Sequence, residues 1–117
     1  MFANPLAACY DIKIMITDEI KGRILSAFNV FSPKKIILFG SACRLPDREA
    51  GDLDLIIVYD TPKRFLDRLK ELYEHWDLPK AVDILAYTPE EFDRLMQENH
   101  FVIDAVQQGV LLYDAAA

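Results

Sequence analysis

Gly40-Ser41 closes one short apolar run, and ten residues later Asp52-Leu53-Asp54 opens the next. The first run, Lys35-Ile36-Ile37-Leu38-Phe39, is rich in β-branched and aromatic residues and stops at the glycine, which reads as a buried strand ending in a tight turn. The second, Asp52 to Tyr59, is acidic at its start and apolar on both faces beyond it, as expected for a central strand covered on both sides. A third run, Ala81 to Tyr87, carries Asp83 between Val82 and Ile84. If the third run lies beside the second in a sheet, one end of that sheet gathers a glycine turn and three acids.

The rest of the sequence supplies helices. Ile20, Ile24, Phe28 and Phe31 recur at helical spacing, so a helix is predicted from Thr17 or Asp18 to about Phe31, stopped by Ser32-Pro33. Ser41 to about Leu45 fits a single helical turn, followed by a polar loop. Thr61-Pro62 predicts a cap and first helical position for a helix running to about Trp76, with Phe65, Leu69, Leu72, Tyr73 and Trp76 on its buried face. Lys63, Arg64, Arg68 and Lys70 read as its solvated basic stripe. Thr88-Pro89-Glu90-Glu91 has capping-box spacing and starts one helix that carries Phe92, Leu95, Met96, Ile103 and Val106 inward to about Gly109. Val110 to Tyr113 is the last strand, ahead of a frayed alanine tail. The predicted order is helix, strand, strand, helix, strand, helix, strand. It describes an α/β (α+β) domain: a small mixed sheet of about four strands with helices packed mainly on one side.

Bulk properties restrict the function. The 117 residues suit one domain, divided here into an N-terminal extension (1–16), the domain proper (17–114) and a tail (115–117). No apolar run approaches the ~18 residues of a membrane span, and no basic segment precedes the apolar start, so neither membrane nor signal peptide is expected. A formal charge of −6 argues against direct nucleic-acid binding. Cys9 and Cys43 read as free thiols of a reducing cytoplasm, since two cysteines build no disulfide scaffold. His75 and His100 have no Cys or His at ligand spacing, which argues against zinc.

Asp52 and Asp54 fall on one face of a strand, about 7 Å apart. Like charges so placed raise each other's pKa unless a cation lies between them, and hard carboxylate oxygens suit magnesium. Asp83 sits in a run that otherwise reads as buried, where an unpaired carboxylate is expensive. Three converging acids can hold one or two metals. At the Gly40-Ser41 turn, backbone N–H groups and the Ser41 hydroxyl make an anion site, and Arg44 can add a charge-assisted contact to phosphate. Taken singly, each acid also reads as an ordinary surface carboxylate and Gly-Ser as an ordinary turn; the joint spacing is what carries weight.

GSACRLPDREAGDLD followed by AVDIL resembles the signature of the DNA polymerase β-like nucleotidyltransferase superfamily, and specifically the minimal nucleotidyltransferase (MNT) domains of prokaryotes. The resemblance runs from about Ile20 to Tyr113. It implies that Gly40 and Ser41 bind a triphosphate, with Arg44 assisting. It also implies that Asp52 and Asp54 ligate two Mg2+ ions, and that Asp83 completes one metal site and acts as base. Gly51 departs from the Ser that many relatives place there. MNT proteins of this size are commonly encoded beside a helical HEPN-domain protein, and the characterised ones act as antitoxins, moving AMP from ATP to a tyrosine of the HEPN toxin. The resemblance therefore implies a protein adenylyltransferase with ATP as donor and a HEPN partner. Two alternatives stay open: an antitoxin that neutralises by binding alone, and a nucleotidyltransferase acting on a small molecule such as an aminoglycoside. The acceptor, the base preference and homo-oligomerisation are not legible.

Overall fold

The structure is a computed structural model that describes residues 17–43 and 52–117. Helix α1 (Asp18–Phe28) starts where Thr17 accepts a hydrogen bond from Ile20 N, as its side chain predicts. It tightens into a 3₁₀ turn over Asn29–Phe31 before strand β1 (Lys35–Phe39). A second 3₁₀ turn covers Gly40–Cys43. Strand β2 (Leu53–Val58), helix α2 (Phe65–Glu74), strand β3 (Val82–Tyr87), helices α3 (Pro89–Glu98) and α4 (His100–Gln108), and strand β4 (Val110–Asp114) follow.

The four strands form one mixed sheet in the order β3-β2-β1-β4. β1 runs antiparallel to both β2 and β4, while β2 and β3 are parallel, joined by the α2 crossover. No helix among the described residues is long and apolar enough to cross a membrane.

The mixed four-stranded sheet is as expected, but its coverage is not one-sided. Residues alternate along each strand, so each face has its own core. On one face Ile36, Leu38, Leu55, Ile57 and Ile84 pack with Ile24 and Phe28 of α1 and Leu72 of α2. On the other, Ile37, Ile56 and Val58 pack with Phe92 of α3 and with Val102 and Ala105 of α4. The central strands are apolar in both phases, and two helices per face are needed to keep both phases dry.

Three local expectations also need correcting. The helix predicted from Thr61 begins at Phe65, after Arg64; Thr61 Oγ1 instead accepts from Lys63 N at 3.1 Å and closes a local turn. The single helix predicted from Pro89 to Gly109 is two, because Asn99 is extended (φ −106°, ψ 107°) and caps α4 by accepting from Val102 N. The alanine tail is turned rather than loose at its start, since Ala115 N donates to Lys34 O at 2.9 Å. The Thr88–Glu91 capping box forms as its spacing predicts, with both reciprocal bonds made.

α2 and α3 are tied together by a residue misread as solvated. Arg68 is 7% exposed and forks onto Glu91, with Nη1 to Oε1 at 2.7 Å and Nη2 to Oε2 at 3.1 Å. It also donates to the carbonyls of Ala86 and Lys63. Phe65 and Tyr73, expected inward, are more than a third exposed, because the helix turns Arg68 and Leu72 to the sheet instead.

Candidate active site

The register of the sheet assembles the acids. Asp54 is the Cα partner of Phe39 across the antiparallel β1–β2 pair and of Asp83 across the parallel β2–β3 pair. Neighbouring strands lie about 4.8 Å apart, so Phe39, Asp54 and Asp83 form a row across the end of the sheet, on the face that α3 and α4 cover further along. Asp52 precedes the first strand residue, Leu53, and is exposed.

Asp54 is the partly buried member, and its carboxyl is held above the usual carboxylate range. Burial is the first cause, followed by the negative charges of Asp83 and then Asp52. Asp54 thus feels the charge of both other acids predicted to converge with it. Asp83 differs from expectation in one respect: it is exposed, not enclosed, because the N-terminal end of β3 projects beyond the covering helices. Among the described residues no three His, Cys, Asp or Glu side chains group tightly enough to make a finished metal cage. Asp54 and Asp83 are register neighbours with Asp52 two residues before Asp54, an open arrangement rather than a closed set.

Gly40 completes this corner. Its φ of +79° is one that side-chain-bearing residues rarely adopt, and a Cβ built there would overlap Asp54 Oδ2. The glycine is required twice over, for the turn and for the carboxylate beside it. Ser41 follows in the 3₁₀ turn. Arg44, Gly51 and the extension before Thr17 lie outside the described residues.

The donor set suits a hard divalent cation. Carboxylate oxygens are its preferred ligands, and a positive charge between the acids relieves the repulsion that raises Asp54.

Among the described residues, a cavity of about 500 Å3 lies elsewhere. Arg64, Phe65, Tyr87 and Arg94 line it at the C-terminal end of β3, four residues and about 13 Å along the strand from Asp83. A smaller cavity of about 160 Å3 adjoins the acids and includes Phe39 and Gly40 together with Phe101, Asp104, Ala105 and Gln108 of α4. The α4 residues were not singled out by sequence reasoning. Asn99 as a cap, which separates α4 from α3, was the signal available.

The chain has recognisable relatives among known proteins. Residues 18–112 match the family model described as a nucleotidyltransferase domain. The chain is 38% identical to "Probable protein adenylyltransferase MntA" of Haemophilus influenzae, across 62% of this chain and 67% of that protein. It is 32% identical to "Putative protein adenylyltransferase MJ0435" of Methanocaldococcus jannaschii, across 72% of this chain and 95% of that protein. The fold is similar to a crystal structure from Sulfolobus solfataricus described as "a putative nucleotidyltransferase", with a TM-score of 0.55 and 16% identity, covering 99% of this chain and 92% of that one.

Proposed function

This chain belongs to the nucleotidyltransferase domain family and is a nucleotidyltransferase, and on that premise we propose that it transfers AMP from ATP to a hydroxyl of a partner protein. The acceptor is read as a tyrosine of a HEPN-type toxin, which makes the chain its antitoxin. The names of the two relatives, both protein adenylyltransferases, support a protein acceptor. The observation that carries the reading is Asp54, wedged against Gly40 and coupled to Asp83 and Asp52.

Each residue has a distinct task in this reaction. The acceptor oxygen bonds to the α-phosphorus of ATP, the bond from that phosphorus to the bridging oxygen breaks, and pyrophosphate leaves. Gly40 lets the backbone approach the triphosphate without a side chain in the way, and its turn offers Ser41 and the following N–H groups to phosphate oxygens. Asp83, exposed beside Asp54, takes the acceptor proton. Asp52, Asp54 and Asp83 would hold two Mg2+ ions. When bound, the metal supplies charge neutralisation of the phosphates and activation of the attacking oxygen.

The test is transfer of labelled AMP from ATP, with magnesium, to the HEPN-type partner. Asp52→Ala and Asp54→Ala are each expected to abolish labelling. Unchanged labelling in both variants overturns the reading.

A further inference from the structure

Phe101, Asp104, Ala105 and Gln108 share one face of α4, at the i, i+3, i+4, i+7 spacing, and line the cavity that adjoins Gly40. A helix face turned to protein is normally apolar throughout. Here Ala105 is buried, Asp104 and Gln108 are exposed, and Phe101 leaves 59% of its surface to solvent. The Phe101 ring stands edge-on to Phe39, centroids 5.8 Å apart and planes at 87°. Phe39 is in turn the register partner of Asp54. Gly109 holds this wall in place: a Cβ there would meet Ala105 O at 2.5 Å and Leu38 O at 2.6 Å, so the end of α4 rests directly on β1. At about 30 Å3 per water, the cavity has room for about five waters. That is the scale of one planar ring system, not of a whole nucleotide.

We propose that this cavity receives the nucleobase of the donor nucleotide, with Phe101 as the stacking wall and Asp104 and Gln108 reading the base edge. An exposed aromatic face suits stacking because every base has a π-face to offer. A carboxylate only accepts hydrogen bonds, so Asp104 favours a base that presents an exocyclic amine. A glutamine amide both donates and accepts, which matches the N6 amine and N7 acceptor of adenine. Inosine has an oxygen where adenine has that amine, and sets it against the Asp104 carboxylate. This inference rests on the nucleotidyl-transfer reading and names the part of the donor that α4 recognises.

Calorimetric titration of the full chain with magnesium, and with no acceptor present, tests it. The titrants are ATP, ITP and pyrophosphate. Phe101→Ala is expected to weaken ATP binding about 5- to 100-fold and leave pyrophosphate binding unchanged. Asp104→Asn is expected to reduce the preference for ATP over ITP. Wild-type protein that binds pyrophosphate, and ATP no differently from the Phe101→Ala and Asp104→Asn variants, overturns the inference alone. Wild-type protein that binds neither ATP nor pyrophosphate overturns the nucleotidyl-transfer reading and this inference with it.

Discussion

Gly40 and Asp54 are packed so closely that no residue with a Cβ fits at position 40 without displacing the Asp54 carboxylate. The turn that ends β1 and the acid that opens β2 are one structural unit. Gly40→Ala therefore carries two penalties, a left-handed backbone that costs an L-residue about 1–2 kcal/mol and a collision with the carboxylate. Chemical denaturation is expected to show a loss of at least about 1 kcal/mol. AMP transfer is expected to fall by much more than stability explains, because Asp54 has moved.

Asp54→Asn separates the electrostatic role of that acid from its chemistry. Its pKa in the folded chain lies above the ordinary 3.8, so the folded state favours the protonated form. The sign follows: folding is helped below the unfolded value, and that help is lost as pH rises through the raised folded value. At pH 7 the charged Asp54 works against folding, and Asp54→Asn is expected to melt higher than wild type. At pH 3 the two are expected to converge. Paired thermal melts across pH 3–7 check this, and a variant that melts lower at pH 7 contradicts it.

Magnesium is expected to reverse that ranking. A cation that binds only the folded chain stabilises it in proportion to ln(1 + [L]/Kd). Millimolar Mg2+ is expected to raise the melting temperature of wild type and to leave Asp54→Asn nearly unmoved. EDTA is expected to restore the metal-free difference.

Removing one partner of the Arg68–Glu91 fork leaves the other charge unpaired. Arg68→Ala is expected to cost about 3 kcal/mol, the lower part of the range for breaking a buried pair, because the Glu91 side chain keeps a third of its surface in solvent. The pH dependence runs opposite to that of Asp54. The Arg68 bond, outweighing burial, holds Glu91 below its ordinary 4.5, so the stabilisation is present above that value and lost as pH falls through the folded one. Urea titrations at pH 7 and in that acid range measure both effects.

Partner neutralisation distinguishes transfer from simple contact. Asp54→Ala is expected to leave the partner active even when the two proteins still bind. A variant that neutralises without ATP favours the stoichiometric alternative.

The spacing of Gly40-Ser41 and Asp52-Leu53-Asp54, the apolar runs of the strands, and the Thr17 and Thr88 caps were legible in the sequence. Each depends on residues within a few positions of one another, where periodicity and capping chemistry act directly. The Asn99 cap is equally local, but the apolar pattern continues across it and masks the break between the two helices. Tertiary structure alone decided the rest. The parallel pairing of β2 with β3 puts Asp83 beside Asp54 from 29 positions away, and no local preference encodes which strands pair. The burial of Arg68 follows from Glu91 and the Ala86 carbonyl arriving from another part of the chain. Gly109 lets the end of α4 settle on β1, and the cavity that Phe101 lines lies between residues of α4 and the end of β1. Local chemistry wrote the parts of the corner where Gly40 meets Asp54, and long-range packing brought Asp83 to it and set α4 alongside.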